Sequence, residues 1–342
     1  MLGRRGPAPS ALQSSLRELY FNNPWPESIG RSIVYEIEQG IAGFLGGLVR
    51  RMSADGQSIR VGCGGNFVIR PEARSRATAR QMLETGMAGN QDISLTDSAN
   101  DLSRKILERV GWRVIPALNV HWVLPLRPSE FAVNVASRAS FRWLTTGLRL
   151  TTKPFCRIVD NLALKMAASP FRRSNSSLNT AELEVETLLE CLVKFRKSYC
   201  LWPEYDVHSL RWLLDFMERR SSRGKLRKVV ARNGNNKVVG WYIYYVKPGA
   251  IGEVVQLCGE HQSIKDLLES LFCDAWSKGM IALHGVAHAD IIPDLSDKNC
   301  IFTCRGGWAI AYSKKPELLE ILDHGKAFLS RLDGEWCLAP GD

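Results

Sequence analysis

Residues 67–83 read FVIRPEARSRATARQML and form the most informative motif of the chain. An apolar run is followed by a proline turn, an arginine-rich loop, small residues and a helical pattern. A helix start with small residues lets a ligand approach free N–H donors and about half a positive charge. Arg74 and Arg76 add full charges suited to phosphate contacts. The stretch therefore predicts a strand–loop–helix unit that binds a pyrophosphate at residues 74–79.

The sequence around this stretch predicts short strands and helices in alternation. Two runs of strand composition flank a tight glycine turn at residues 38–40, which indicates a hairpin over residues 32–49. A third strand, a helix, a short strand and a second helix follow at 59–69, 77–86, 91–96 and 98–110. Gly111 ends the second helix as a C-cap candidate. A similar order of elements returns after residue 179, which indicates a weak internal repeat of topology.

The strand–loop–helix unit resembles the acetyl-CoA-binding segment of the GNAT N-acetyltransferase superfamily. That segment reads Arg/Gln-x-x-Gly-x-Gly/Ala between a strand and a helix. Here the frame is Arg74-Ser75-Arg76-Ala77-Thr78-Ala79. Ala79 fits the last position of the frame, and Ala77 replaces its first glycine.

Two further parts of the chain resemble the same superfamily. The hairpin at 32–49 is similar to its second and third strands. The string from Asn100 to Trp112 is similar to its second signature, in which an asparagine opens a helix and a Gly-aromatic pair closes it. The resemblance covers residues 18–126, and the second lobe, over 179–342, resembles a degenerate second copy.

The resemblance implies an α/β fold in which a mixed, mostly antiparallel central sheet is flanked by helices, in two tandem lobes. We expect a flexible leader over 1–17 and an acyl-CoA-binding lobe over 18–130. A basic amphipathic helical connector is expected over 131–178, and a degenerate lobe over 179–342. The N-terminal residues lack the apolar run of a secretory signal.

The resemblance also implies an activity, the transfer of an acetyl group from acetyl-CoA to the amine of a small-molecule or sugar-type acceptor by direct attack. The backbone N–H groups of three strand residues would hold the pantetheine arm and polarise the thioester carbonyl. Residues 74–79 would hold the pyrophosphate. The residues implied in binding acetyl-CoA are Phe67, Val68, Ile69, Arg74, Ser75, Arg76, Ala77, Thr78, Ala79 and Asn100.

The catalytic acid and base are not assigned by the sequence. Superfamily members often have a tyrosine in the second signature that protonates the leaving thiolate, and Leu107 stands at that place here. Solvent can also protonate a thiolate. Glu36, Asp97 and Asp101 are candidate bases by position, although each also fits an exposed or helix-capping carboxylate.

The second lobe lacks a usable phosphate loop, because Glu260 stands where phosphate charge would lie. We therefore expect it to bind no CoA and to shape the acceptor pocket or support the first lobe. No metal site is predicted, since the nine cysteines form no CxxC pair. Most of the cysteines sit in apolar runs, which is typical of reduced thiols and predicts a cytoplasmic protein.

The net charge of +10 lies mainly in residues 131–178, which carry eight basic side chains and one acidic. These basic residues are spread singly among apolar ones, which disfavours a nucleic-acid platform. No apolar stretch is long enough to span a membrane. The basic face could contact phospholipid or an acidic substrate at the surface, or could be exposed to solvent alone. Two alternative functions stay open: a non-catalytic GNAT-fold protein that binds CoA or a partner, and an aminoacyl-tRNA-dependent transferase.

Overall fold

The structure is a computed structural model that describes residues 9–28, 31–138, 177–304 and 307–338. Most of the predicted connector lies outside these residues. The chain divides into two compact units that alternate along the sequence. Unit 1 holds the described residues of 1–119, 196–222 and 306–342, and unit 2 holds those of 120–195 and 223–305. No helix in the described part of the chain is both long and apolar enough to cross a membrane.

Unit 1 is built on one seven-stranded sheet. Its strands are β1 (Ile33–Ile37), β2 (Gly40–Ala54), β3 (Gln57–Ile69), β4 (Ile93–Ala99), β5 (Arg113–Val114), β8 (Leu201–Pro203) and β14 (Trp308–Tyr312). The strand order is β1-β2-β3-β4-β14-β5, and β8 pairs with β2. Every neighbouring pair is antiparallel except β3 and β4, which are parallel.

Five helices belong to unit 1: α1 (Ser10–Phe21), α2 (Arg76–Met87), α3 (Asp101–Arg109), α6 (Val207–Glu218) and α9 (Pro316–Asp323). Side-chain caps fix the starts of three of them. Ser75, Asn100 and Asp206 each accept a hydrogen bond from a backbone N–H in the first turn of the helix that follows. Residues 10–17, which the sequence analysis assigns to a leader, form the larger part of α1.

Unit 2 is built on a second seven-stranded sheet, ordered β13-β6-β12-β11-β10-β9-β7. Its strands are β6 (His121–Pro125), β7 (Asn179–Glu182), β9 (Lys225–Arg232), β10 (Val238–Val246), β11 (Ile251–Gly259), β12 (Ala282–Val286) and β13 (Ile301–Thr303). Its helices are α4 (Pro128–Arg138), α5 (Val185–Phe195), α7 (Ile264–Ser277) and α8 (Ile292–Asp297). Among the described strands of unit 2, only β11 and β12 pair in parallel.

The two sheets repeat one topology. In each, three antiparallel strands lead through a helix to a fourth strand that pairs in parallel with the third. The repeat and the mixed, mostly antiparallel α/β class that the sequence predicted are thus confirmed.

The strand beside the fourth one comes from the distant half of the sequence in both sheets. β14 pairs with β4, and β6 pairs with β12. The short stretch from Arg113 to Pro125 is accordingly shared between the sheets, because β5 joins the first sheet and β6 the second.

The C-terminal segment, residues 327–338, is almost entirely buried within unit 1. Ala327 and Leu329 pack in a core cluster with Ile93 and Leu95 of β4. Burial of each large apolar side chain stabilises the fold by roughly 1.5–3 kcal/mol. The segment therefore carries its polar residues, including Glu335, into the interior of unit 1.

Candidate functional site

The parallel strands β3 and β4 separate in the middle of the sheet. Their register runs only from Val61 opposite Ile93 to Cys63 opposite Leu95, although β3 continues to Ile69. Beyond Cys63 the two strands leave a cleft between them. Backbone N–H and C=O groups that face such a cleft must find partners elsewhere, and a bound ligand can supply them.

A β-bulge and a group of glycines shape β3 at this cleft. The register between β2 and β3 shifts around Leu45, and Asn66 of β3 has a φ of +53°. The bulge bends the strand away from its neighbour. Just before it, Gly46 pairs with Gly65 and Gly47 with Gly64, so four adjacent positions of the sheet lack side chains.

The cleft opens onto a cavity of about 480 Å³ that lies wholly in unit 1. The glycine positions form part of its wall, and an added Cβ at Gly64 would meet no atom within 4 Å. Polar side chains also line it, among them Tyr20, Asn66, Thr96, Ser98 and Glu335. Of the residues predicted to bind acetyl-CoA, Phe67 and Asn100 are part of the lining.

The predicted phosphate loop forms a helix start directly after β3. The Ser75 hydroxyl accepts the Thr78 N–H at 3.0 Å, and α2 begins at Arg76. The N–H groups of the first turn have no helical carbonyl to bind, so those of Arg76 and Ala77 are oriented for an external acceptor. This local structure is the one that the sequence predicted.

The side chains of this helix start divide into exposed and buried ones. Thr78 and Ala79 are buried, whereas Arg74, Arg76 and Ala77 are exposed. An Arg74 Nη2 donates to the Ile69 carbonyl at 3.1 Å. Within the described ranges neither Arg74 nor Arg76 pairs with a carboxylate, so both charges are available to an anion. These loop residues lie outside the lining of the cavity.

The N–H groups of residues 67–69 alternate in direction along β3. The Arg70 N–H donates to the Ala42 carbonyl of β2, and successive N–H groups of a strand point to opposite sides. The Phe67 and Ile69 N–H groups therefore point towards the cleft, whereas that of Val68 points towards β2. Phe67 and Ile69 are thus the two predicted donors whose direction suits a ligand in the cleft.

The second predicted signature forms the expected helix. Asn100 caps α3 by accepting the Ser103 N–H at 2.8 Å, and Gly111 follows the helix with a φ of +96°. Leu107 is buried and lines the cavity. It offers no ionisable group to the cavity.

The three candidate bases lie in different surroundings. Glu36 is exposed on the edge strand β1, and Asp101 is exposed at the start of α3, where it accepts the Trp308 indole N–H at 2.8 Å. Asp97 lies on β4 and accepts the Trp336 backbone N–H at 3.0 Å. None of the three lines the described cavity.

Glu335 is the carboxylate that does line the cavity, and it is not among the three candidates suggested by the sequence. Its Oε1 accepts the hydroxyls of Thr96, at 2.5 Å, and of Ser98, both on β4. Its Oε2 lies towards β3, 2.9 Å from where a Cβ of Gly65 would stand. The carboxyl group therefore bridges the cleft just beyond the last paired residues. Glu335 reaches the cavity because the C-terminal segment runs through the interior of unit 1. No local sequence motif indicates this path.

Burial and neighbouring charge shift the ionisation of this region. Burial, with a further contribution from the Asp97 charge, raises the pKa of Glu335 to about 7. Burial also raises the pKa of Asp97, although Arg331 opposes the shift. Burial raises the pKa of the Cys63 thiol and of the Tyr20 phenol to about 12 each. Glu335 is therefore a group that can exchange a proton near neutral pH.

The corresponding turn of unit 2 is occupied by an internal charge. Glu260 follows β11 and lies 2.8 Å from Lys237 Nζ and 3.3 Å from Lys194 Nζ. These lysines hold the pKa of the carboxyl below its usual range. The two lysines therefore already have an internal anionic partner in the place where a phosphate would have to bind. Among the described residues, no group of three His, Cys, Asp or Glu side chains is placed to hold a metal ion.

Solved structures provide the comparison with known proteins. A GCN5-related N-acetyltransferase from Anabaena variabilis superposes with a TM-score of 0.54 and 13% identity, covering 90% of this chain and 72% of that one. N-myristoyltransferase from Saccharomyces cerevisiae with bound myristoyl-CoA superposes with a TM-score of 0.52 and 10% identity, covering 87% and 69%. A probable N-acyltransferase from Enterococcus faecalis superposes with a TM-score of 0.52 and 12% identity, covering 90% of this chain and 71% of that one.

The chain has the GCN5-related N-acetyltransferase fold. This confirms the fold that the resemblance of residues 67–83 and 100–112 implied. No protein-family model matches the sequence, and no curated protein matches it. At 10–13% identity the likeness establishes the fold alone.

Proposed function

We propose that the protein is an acyl-CoA-dependent N-acyltransferase whose donor is acetyl-CoA. The observation that carries the proposal is the separation of β3 and β4 beside a cavity, followed directly by a charged helix start. The cleft suits the extended pantetheine arm, and the helix start suits the pyrophosphate. The structural neighbour with bound myristoyl-CoA supports a CoA thioester as donor.

The residues of the cleft have assigned roles in this proposal. The Phe67 and Ile69 N–H groups bind the arm and polarise the thioester carbonyl, whose oxygen becomes more negative as the amine attacks. Arg74 and Arg76 bind the pyrophosphate, together with the first-turn N–H groups of α2. Asn100 holds the start of α3 at the other side of the cleft.

The acceptor is an amine of a small molecule, such as an amino sugar or an amino-acid-like group. The cavity's hydroxyl, amide and carboxyl groups favour a polar acceptor over an apolar one. The eight described cysteines are free thiols, which supports a reducing, cytoplasmic location.

Release of CoA thiol tests the proposal directly. The full chain is incubated with acetyl-CoA or myristoyl-CoA and with glucosamine, lysine or ethanolamine as acceptor. We expect thiol release that depends on an amine and is fastest with acetyl-CoA. Saturable binding of acetyl-CoA without release would instead support the non-catalytic alternative. Transfer RNA that co-purifies with an inactive chain would support the aminoacyl-tRNA-dependent one.

A further inference from the structure

The C-terminal segment places one carboxyl group at the cleft, hydrogen-bonded to β4 and beside Gly65 of β3. Thr96 and Ser98 of β4 donate to Oε1 of Glu335, and Gly65 of β3 makes room for Oε2. A side chain at Gly65 would collide with that oxygen, at 2.9 Å from an ideal Cβ. The hydroxyls fix the carboxyl group on one side, and its second oxygen faces the wall formed by β3.

The neighbouring segment is held in place by its own contacts. The Asp97 carboxylate accepts the Trp336 N–H at 3.0 Å, and the Arg50 guanidinium donates to the Leu332 carbonyl at 2.8 Å. Asp333 accepts the Ser330 N–H at 2.7 Å. These hydrogen bonds hold the residues before and after Glu335, and so they fix the position of its side chain, as a reacting group requires.

We propose that Glu335 is the general base that accepts the proton of the attacking amine. The inference rests on the proposed function, since the cleft must hold the thioester for Glu335 to act. It assigns this role to the C-terminal segment, outside the strand–loop–helix unit and outside the three carboxylates that the sequence suggested.

Acyl transfer to an amine releases one proton from nitrogen and forms one thiolate. The amine lone pair attacks the thioester carbonyl carbon, forming the C–N bond, and the C–S bond breaks with its electron pair leaving on sulfur. The proton lost by nitrogen passes to the Glu335 carboxylate. From there it passes to the thiolate, which yields CoA thiol and restores the carboxylate. No oxidant, metal or further reactant is needed, and Leu107 takes no part in the proton transfer.

Several titratable groups face Glu335 and belong to its pH dependence. Asp97 on β4 raises its pKa, as burial does, whereas the Ser98 and Thr96 hydroxyls lower it. Cys63 on β3 and Tyr20 on α1 interact with its charge, but both titrate far above neutral pH. Arg331 acts on Asp97. The base is active when ionised, so activity should rise with pH through about 7.

The test measures thiol release from acetyl-CoA by the full chain across the neutral pH range, with water alone and with glucosamine. Glu335→Gln keeps the acceptor for the Thr96 and Ser98 hydroxyls but cannot take a proton. We expect it to lower the rate at least about a hundredfold and to leave acetyl-CoA affinity within about threefold. Glu335→Asp should retain part of the rate, and exposed Glu84→Gln on α2 is the matched control.

A second variant tests the proposal if Glu335→Gln lowers the melting temperature of the protein. Ser98→Ala removes a donor that stabilises the ionised carboxylate, so the inflection of the pH profile should move to higher pH. Wild-type rates for a well-folded Glu335→Gln, or an unmoved inflection in Ser98→Ala, would overturn the proposal. So would a wild-type chain that binds acetyl-CoA but releases no thiol. A wild-type chain that does not bind acetyl-CoA would overturn the proposed function itself.

Discussion

Ala77 stands where the superfamily frame has a glycine, and the structure shows why a methyl group is acceptable there. Ala77 is the second residue of α2 and its side chain is exposed. A helical backbone needs no positive φ, which is the conformation that glycine supplies most readily. The N–H groups of the first turn can therefore face a phosphate without a glycine at this position.

We expect Ala77→Gly to change acetyl-CoA affinity by less than about 1 kcal/mol, the usual cost of glycine in a helix. The comparison is a calorimetric titration of both proteins under one buffer. A severalfold gain in affinity would contradict the helical interpretation. It would instead indicate that Ala77 has replaced a working glycine.

The sequence predicted the starts of α2 and α3, whereas it did not indicate the carboxyl group that lines the cavity. Ser75 and Asn100 are recognisable as N-caps from the local sequence. Each precedes its helix and accepts a hydrogen bond from the backbone N–H three residues later. Glu335 is separated from its partners Thr96 and Ser98 by more than two hundred residues. Such a contact depends on tertiary packing, and neither hydrophobic periodicity nor motif spacing in the sequence indicates it.

At the scale of elements, β3 combines a bulge and adjacent glycines at the place where β4 leaves it. The glycine at position 64 faces open space in the cavity rather than another element. A larger side chain there can extend into the cavity without displacing its neighbours. Its effect on binding can therefore be separated from its effect on folding.

We expect Gly64→Val to weaken acetyl-CoA binding more than about tenfold, because its two methyl groups enter the space assigned to the ligand. The melting temperature should stay close to that of the wild type, since valine favours strands. Gly64→Ala is the smaller matched change and should weaken binding less. Unchanged affinity in a well-folded Gly64→Val protein would place the ligand elsewhere.

The positions of these strands and helices along the chain were largely predictable from sequence. The pairing of β8 and β14 with the other strands was not. Composition and turns located β1, β2, β3, α2 and α3 within a few residues. The short strand β8 pairs with β2, and β14 inserts between β4 and β5. Both pairings join distant parts of the chain, where no turn sets the register.

At the scale of the whole molecule, each sheet contains a strand from the other half of the sequence. The first sheet needs β8 and β14, and the second sheet needs β6. Neither half of the chain therefore contains a complete sheet. A cut between residues 178 and 179 separates strands that pair in the intact protein.

We expect residues 1–178 and residues 179–342, each expressed alone, to show no cooperative thermal unfolding. Produced together, the two pieces should associate and unfold in a transition like that of the intact chain, because every strand then has its partners. Far-UV circular dichroism on heating measures this. Cooperative unfolding of either piece alone would contradict the exchange of strands.

We propose that acetyl-CoA binds unit 1 with its pyrophosphate at residues 74–79, and calorimetric titration of the full chain measures this binding. Arg74→Ala with Arg76→Ala should weaken binding more than tenfold, since each charged contact contributes about 1.5–3 kcal/mol. The control, Arg80→Ala with Arg109→Ala, removes the same charge from exposed positions and should change affinity less than about threefold. We predict one site per chain, because Glu260 occupies the corresponding turn of unit 2. Equal affinities in the two double variants, or two sites per chain, would contradict the claim.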